Sequence, residues 1–174
     1  MDALETLKTR RSVRKYTSQE ISESDMHTLL EAGMSGPSCV NSRDWSFITV
    51  RNKETLRKLA ECNGMHATML PDAAAAIVVC GDLDRAYPKA KDYWVVDCSI
   101  AAQNIIIAAT TLGIGSVWLG TWPQKHKVQN IQKLFSLPDT IVPLAVVALG
   151  YPDPTEEIRP KPEFEEDRIH EESW

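Results

Sequence analysis

Residues 93 to 112 read YWVVDCSIAAQNIIIAATTL, twenty residues with a single formal charge, Asp97. At 3.6 residues per turn, apolar side chains fall on nearly every face. The segment therefore predicts a helix of about five turns, buried on most sides. Asp97, Gln103 and Asn104 interrupt it, and their burial in lipid would cost several kcal/mol. The helix belongs in a protein core, with the three polar groups bonded to neighbouring backbone. A helix covered on most sides needs further layers against it, which a chain of 174 residues can supply within one domain.

The remaining chain alternates helices with short strands. Residues 3 to 10 predict a helix with Leu4 and Leu7 on one face and basic residues in its last turn, where the negative end of the dipole favours them. Ser22, with Asp25 three residues on, starts a second helix. Ile21 staples against Met26, Leu29 and Leu30 face inward with it, and Gly33 is the stop. WSFITV (45–50) has the aromatic and β-branched content of a strand. Asn52 caps a helix through Leu56 and Leu59 that ends near Asn63 and Gly64. AAAAIVVCG (73–81) is a short apolar run closed by glycine, a buried strand. Past the long helix, LGIGSVWLG is a glycine-rich turn entering a strand. Pro123 opens a helix as its first residue, with Val128, Ile131 and Phe135 inward. IVPLAVVALGY (141–151) is the last strand. Beyond it Pro152, Pro154, Pro160 and Pro162 prevent regular structure, leaving an extended arm over 152–174. With no internal repeat, the reading is one α+β domain, 1–174, around one sheet.

Several function classes lack their signatures. Asp2 and Glu5 stand where a secretory signal carries its apolar core, so a cytoplasmic location is expected. Cys39, Cys62, Cys80 and Cys98 form no C-x-x-C pair, and His27, His66, His126 and His170 show no ligand spacing, so no metal site is expected. There is no G-x-S-x-G elbow, and the glycines 113, 115 and 120 miss the G-x-G-x-x-G spacing. Any chemistry is expected at a bound cofactor, with no catalytic side chain.

TRRSVRKY (9–16) gathers Arg10, Arg11, Arg14 and Lys15 around Ser12, although 19 basic residues face 24 acidic ones, a net charge of −5. A nucleic-acid binder leans the other way. Guanidinium forks beside a hydroxyl suit a phosphate; a solvated helix end explains them as well. Gly113, Gly115 and Gly120 allow a flat ligand close to backbone, or make a tight connection. Asn41, in PSCVN, suits a heteroaromatic edge or a structural turn.

Taken in order, LKTRRSVRKYTSQEIS, AGMSGPSCVNSRDWSFITV, DCSIAAQNIIIAATTLGIGSVWLGTWP, VVALGYPDPTEEIRPKP and RIHEESW resemble successive segments of the nitroreductase family of FMN-dependent oxidoreductases. The resemblance implies an α/β/α sandwich with a central mixed sheet and a C-terminal arm embracing the partner of a homodimer. It implies FMN as cofactor and NADH or NADPH as co-substrate. Hydride would pass through flavin N5 to an acceptor such as a nitroaromatic or quinone, in ping-pong fashion. It also assigns residues. Arg10 and Ser12 meet the FMN phosphate and ribityl chain, with Arg11 nearby. Arg14 reaches the N1/O2 side, where reduced flavin is anionic. Arg159, helped by Lys161, completes the phosphate site. Trp118, Leu119 and Gly120 lay backbone against the flavin near N5 and O4. Pro37, Ser38, Cys39 and Asn41 belong to a loop that serves the other subunit's site.

One departure stands out: Asn41, Ser42, Arg43, Asp44 and Trp45 replace the family's frequent Asn-x-Gln-Pro-Trp, and Arg43 is expected to pair with Asp44. The acidic balance and the polar residues of the apolar helix lead to no nucleic-acid or membrane partner being expected. Alternatives are a specialised flavin reductase of dehalogenase or enal-reductase type, or a non-enzymatic flavin-binding redox sensor.

Overall fold

Four strands, β1 (Trp45–Val50), β2 (Ala75–Asp82), β3 (Gly115–Gly120) and β4 (Ile141–Gly150), make one sheet in the order β1-β2-β4-β3 in a computed structural model that describes residues 2–157 and 164–174. Every pairing of these strands is antiparallel. Parallel pairing, which a mixed sheet calls for, is confined among the described residues to an isolated bridge between Ser12 and Ser116.

The two central strands explain the unbroken apolar run of 73–81. Successive side chains of a strand point to opposite faces. Ala75, Ile77 and Val79 of β2, with Ala145, Val147 and Leu149 of β4, join a core with the helices α2 (Glu23–Met34) and α4 (Tyr93–Thr111). Ala76, Val78 and Cys80, with Val146 and Ala148, join a second core with α3 (Lys53–Asn63) and α5 (Lys125–Phe135). Both faces are covered, so the strands need no polar alternation, and the layers stack as α/β/α.

Local signals set most helix starts. Ser22 Oγ accepts from the Asp25 N–H at 3.0 Å, and Asn52 Oδ1 from the Thr55 N–H at 3.0 Å. Asp2 does the same for α1 (Ala3–Thr9), accepting from Glu5 at 2.8 Å. Elsewhere tertiary packing corrects the sequence reading. Leu4 and Leu7 are 67% and 48% exposed, and α1 turns Thr6 inward instead. Gly33 does not stop α2; a Cβ there would stand 3.0 Å from Ile105 Cδ1, so the glycine marks where α2 crosses closely over α4. Pro123 lies ahead of α5, which begins at Lys125 with Gln124 as its cap.

The long helix is also corrected. Trp94, Asp97, Cys98, Ala101, Ala102, Ile105, Ile106 and Ala109 form a buried stripe, but Val96 is 50% exposed and Gln103 faces outward. Apolar residues mark a face that avoids water without saying what covers it.

The basic segment runs extended beside β3. Val13 N–H donates to Ser116 O at 2.9 Å, Thr17 N–H to Tyr151 O at 2.9 Å, and Asp153 N–H to Lys15 O at 3.0 Å. The first residues after β4 therefore lie against the chain's own N-terminal segment.

Candidate active site

A cleft of ≈ 490 Å³ opens at the end of β3, lined among others by Arg14, Asn63, His66, Trp118, Leu119, Gly120 and Lys127. Alternation along the extended segment sends Arg14 to this side, while Arg11 and Val13 line a separate pocket of ≈ 330 Å³. The strand end is bare: a Cβ on Gly120 would meet nothing closer than Trp118 Nε1 at 4.0 Å. Lys127, in the first turn of α5, donates to Gly120 O at 3.2 Å. Among the described residues no carboxylate lines the cleft, whereas Arg14 and Lys127 do, so an anionic ligand suits it.

Asn63 is the informative residue. It is the last of α3, after which Gly64 turns the chain at φ +83. The residue lines the cleft, while its Oδ1 and Nδ2 are shut off from solvent and have no hydrogen-bond partner among the described residues. Such a group costs about 1–3 kcal/mol. Ser116 Oγ on β3 and Thr121 Oγ1 beside Gly120 are unpartnered in the same way.

The structure thus brings Arg14 together with Trp118, Leu119 and Gly120. Arg11 is turned elsewhere, its guanidinium donating to the carbonyls of Lys8 and Arg10 at 3.0 and 2.9 Å. Arg10 is the C-cap of α1, and Ser12 is bridged to Ser116. Arg159 and Lys161 lie outside the described residues.

Pro37, Ser38, Cys39 and Asn41 line no part of the cleft. Their loop lies on α4, where the Cys39 N–H donates to Asp97 Oδ1 and Oδ2, both at 3.0 Å. Asp97 therefore serves a distant loop rather than the neighbouring backbone expected of it. Ser38 Oγ accepts from the Arg43 N–H at 3.0 Å. Val40, Asn41 and Arg43 have φ of 46, 57 and 50. Non-glycine residues in this left-handed region cost roughly 1–3 kcal/mol each, so other contacts must hold them.

The expected Arg43–Asp44 pair does not form. The Arg43 guanidinium stands 5.8 Å from the Trp45 ring centroid, a cation–π contact. Asp44 is fully buried, and its backbone is fixed by the Asp82 N–H donating to its carbonyl at 2.6 Å. Burial, and then the neighbouring Asp97, push its carboxyl up to about 6.

A model of the Nitroreductase family matches residues 7–68 and 62–151. This chain belongs to the nitroreductase family. A Methanothermobacter thermautotrophicus protein carrying the provisional name NADH dehydrogenase/NAD(P)H nitroreductase is 46% identical over 174 residues, covering 100% of this chain and 88% of that one. A crystal structure under the same provisional name, from Parabacteroides distasonis, has a TM-score of 0.91 at 37% identity, covering 99% and 98% of the two chains. An FMN-dependent nitroreductase from Clostridium difficile has a TM-score of 0.89 at 28% identity, covering 98% and 99%.

Within this nitroreductase-family fold, sequence reasoning missed Asn63, His66, Gln124 and Lys127 as cleft residues. Asn63-Gly64 carries a signal, but the same pair is what any helix end shows. Lys127 and Gln124 read as the polar start of a surface helix. All four become neighbours of Arg14 only when α3, α5 and β3 are packed together.

Proposed function

We propose that this chain is an FMN-dependent oxidoreductase that takes hydride from NADH or NADPH and delivers it, in ping-pong fashion, to an acceptor such as a nitroaromatic or quinone. The observation that carries the reading is one cleft that brings Arg14 and Lys127 to the bare end of β3, with Asn63 in its wall. These residues fit FMN. A carboxamide offers both a donor and an acceptor to a heteroaromatic edge. Uncovered backbone at Gly120 admits a flat ring closely. FMN, when bound there, would supply the redox chemistry.

This chain's own residues bind and orient. Arg14 would hold a fixed positive charge beside the bound ring, where it would favour any negative charge on it. Lys127, held at Gly120 O, adds to that field. Trp118 and Leu119 wall the cleft and limit water. Arg10 and Ser12, with Arg159 and Lys161, hold the phosphate. No side chain is required as a general acid or base.

The working form is a homodimer, each cleft completed by Pro37, Ser38, Cys39 and Asn41 of the second copy. Two observations support it: the loop stands away from its own chain's cleft, and α4 leaves an apolar groove of Val95, Val96 and Ile100 uncovered. Burying such side chains is worth about 1.5–3 kcal/mol each, and a two-fold axis applies the same cover to both copies. The chain acts as one cytoplasmic FMN-binding domain, with 151–156 held on its own N-terminal segment and residues 164–174 on the partner subunit.

The test mixes purified protein with FMN and then NADPH under anaerobic conditions. Loss of the visible flavin band, its return on adding a nitroaromatic, and sedimentation as a dimer are expected. A protein that stays colourless with excess FMN and sediments as a single chain overturns the reading.

A further inference from the structure

The cleft takes Arg14 from an extended segment that β3 holds along one edge. Val13 N–H donates to Ser116 O at 2.9 Å, and successive N–H groups of an extended chain point to opposite edges. The Arg14 N–H therefore faces away from β3. There it donates to Glu156 Oε1 at 2.9 Å, a bond between residues 142 positions apart. The charged Glu156 is half-buried in making it.

The sequence YPDPTE (151–156) is suited to deliver that carboxylate. Thr17 N–H donates to Tyr151 O and Asp153 N–H to Lys15 O, so the two segments run antiparallel through the Tyr16–Pro152 bridge. Pro154 then presets φ for a turn, closed by the Glu156 N–H donating to Asp153 O at 2.9 Å. Asp153 Oδ1 accepts from the Thr155 N–H at 2.8 Å and from its hydroxyl at 2.6 Å, which locks the same corner. On the other segment the Tyr16 hydroxyl donates to Val13 O at 2.7 Å, and its ring leaves no room for a side chain at residue 150, where a Cβ would stand 2.7 Å from Tyr16 Cδ1. Glu156 thus meets Arg14 from a corner with few free torsions.

We propose that Glu156 is a positioning residue for Arg14: by accepting its N–H, it fixes the backbone from which the guanidinium enters the cleft. The direction in which a side chain leaves an extended segment is set by the backbone that carries it, so holding the amide holds the base of the arginine. Without the bond, Arg14 is ordered only when a ligand arrives, and the ligand's affinity bears that entropy. FMN as the ligand that Arg14 meets is taken from the proposed function; the bond to Glu156 is independent of it.

Three measurements test this together: hydrogen exchange of the Arg14 amide and nitrogen relaxation of its Nε, both on flavin-free protein, and FMN affinity by fluorescence quenching. Glu156→Ala is expected to speed Arg14 exchange severalfold, lower the order of Nε, and raise the FMN Kd by about 2-fold to about 12-fold, the worth of one hydrogen bond. Glu156→Gln keeps an oxygen acceptor in place, so exchange should stay slow, Nε ordered, and the Kd no higher than the parent's. In an Arg14→Ala background, Glu156→Ala should cost no further FMN affinity, because its effect runs through the missing guanidinium. Unchanged exchange, Nε order or FMN affinity in Glu156→Ala overturns the proposal. So does a Glu156→Gln protein that behaves like Glu156→Ala, or an equal loss of affinity in both backgrounds. A parent that binds no FMN, with Arg14 exchange and Nε order disturbed in Glu156→Ala and kept in Glu156→Gln, would refute the functional reading while supporting the role of Glu156.

Discussion

Asn63→Leu should move folding stability and flavin affinity in opposite directions. The buried amide has two polar atoms without partners, and replacing it with an apolar side chain of similar volume removes a penalty of about 1–3 kcal/mol. For a chain of this size each kcal/mol moves Tm by about 2–4 °C, so the flavin-free protein should melt about 2–12 °C higher. If the amide turns to the bound flavin, as the proposed function has it, the same change deletes two hydrogen bonds, each worth about 0.5–1.5 kcal/mol. The FMN Kd should rise between about 5-fold and about 150-fold. Calorimetry on the flavin-free variant gives the first quantity, and quenching of FMN fluorescence gives the second. Unchanged FMN affinity would refute the reasoning, because Asn63 would then not face the ligand. A lowered Tm would refute it differently, by showing that the amide is already satisfied within the fold.

Arg14→Ala should weaken FMN by roughly ten-fold to a hundred-fold, as hydrogen bonds to charged groups are worth about 1.5–3 kcal/mol, while Tm of the flavin-free protein changes little; equilibrium dialysis checks it. Asp44 is carried from its ordinary 3.8 to about 6 by folding, so between those values the native state binds more protons than the unfolded one. Stability should therefore be full below about pH 4 as far as this group is concerned, and fall by about 3 kcal/mol as pH rises to about 6 and beyond. Urea unfolding of Asp44→Asn should lack that decline, and an identical pH slope in both proteins would contradict it. Val96→Glu puts a charge on the uncovered face of α4 and should shift sedimentation from dimer to single chain, with the monomer fold kept by circular dichroism. A variant that remains fully dimeric means that this face is not the interface.

The strands of the sheet, the caps Ser22 and Asn52, and the length of α4 were legible because each depends on residues within a few positions of one another. A side-chain oxygen reaches an N–H three residues on, and periodicity needs only the local run. The segments resembling the family were equally visible, and with them the pairing of Arg14 with Trp118, Leu119 and Gly120.

What the tertiary structure decided was whatever depends on partners distant in sequence. Leu4 and Leu7 read as a packing face, but the neighbour that α1 meets turned Thr6 inward. Arg43 and Asp44 look like an ion pair on adjacent residues. The fold buries one and lays the other on an indole, because strand pairing at Asp82 fixes the backbone between them. Asp97 found its donor on a loop 58 residues away. Asn63 became a candidate only once packing shut its amide off from water and set the residue in the wall of a cleft. Local hydrogen bonds and periodicity are written in the chain, whereas burial and the field at a carboxyl exist only after distant elements have met.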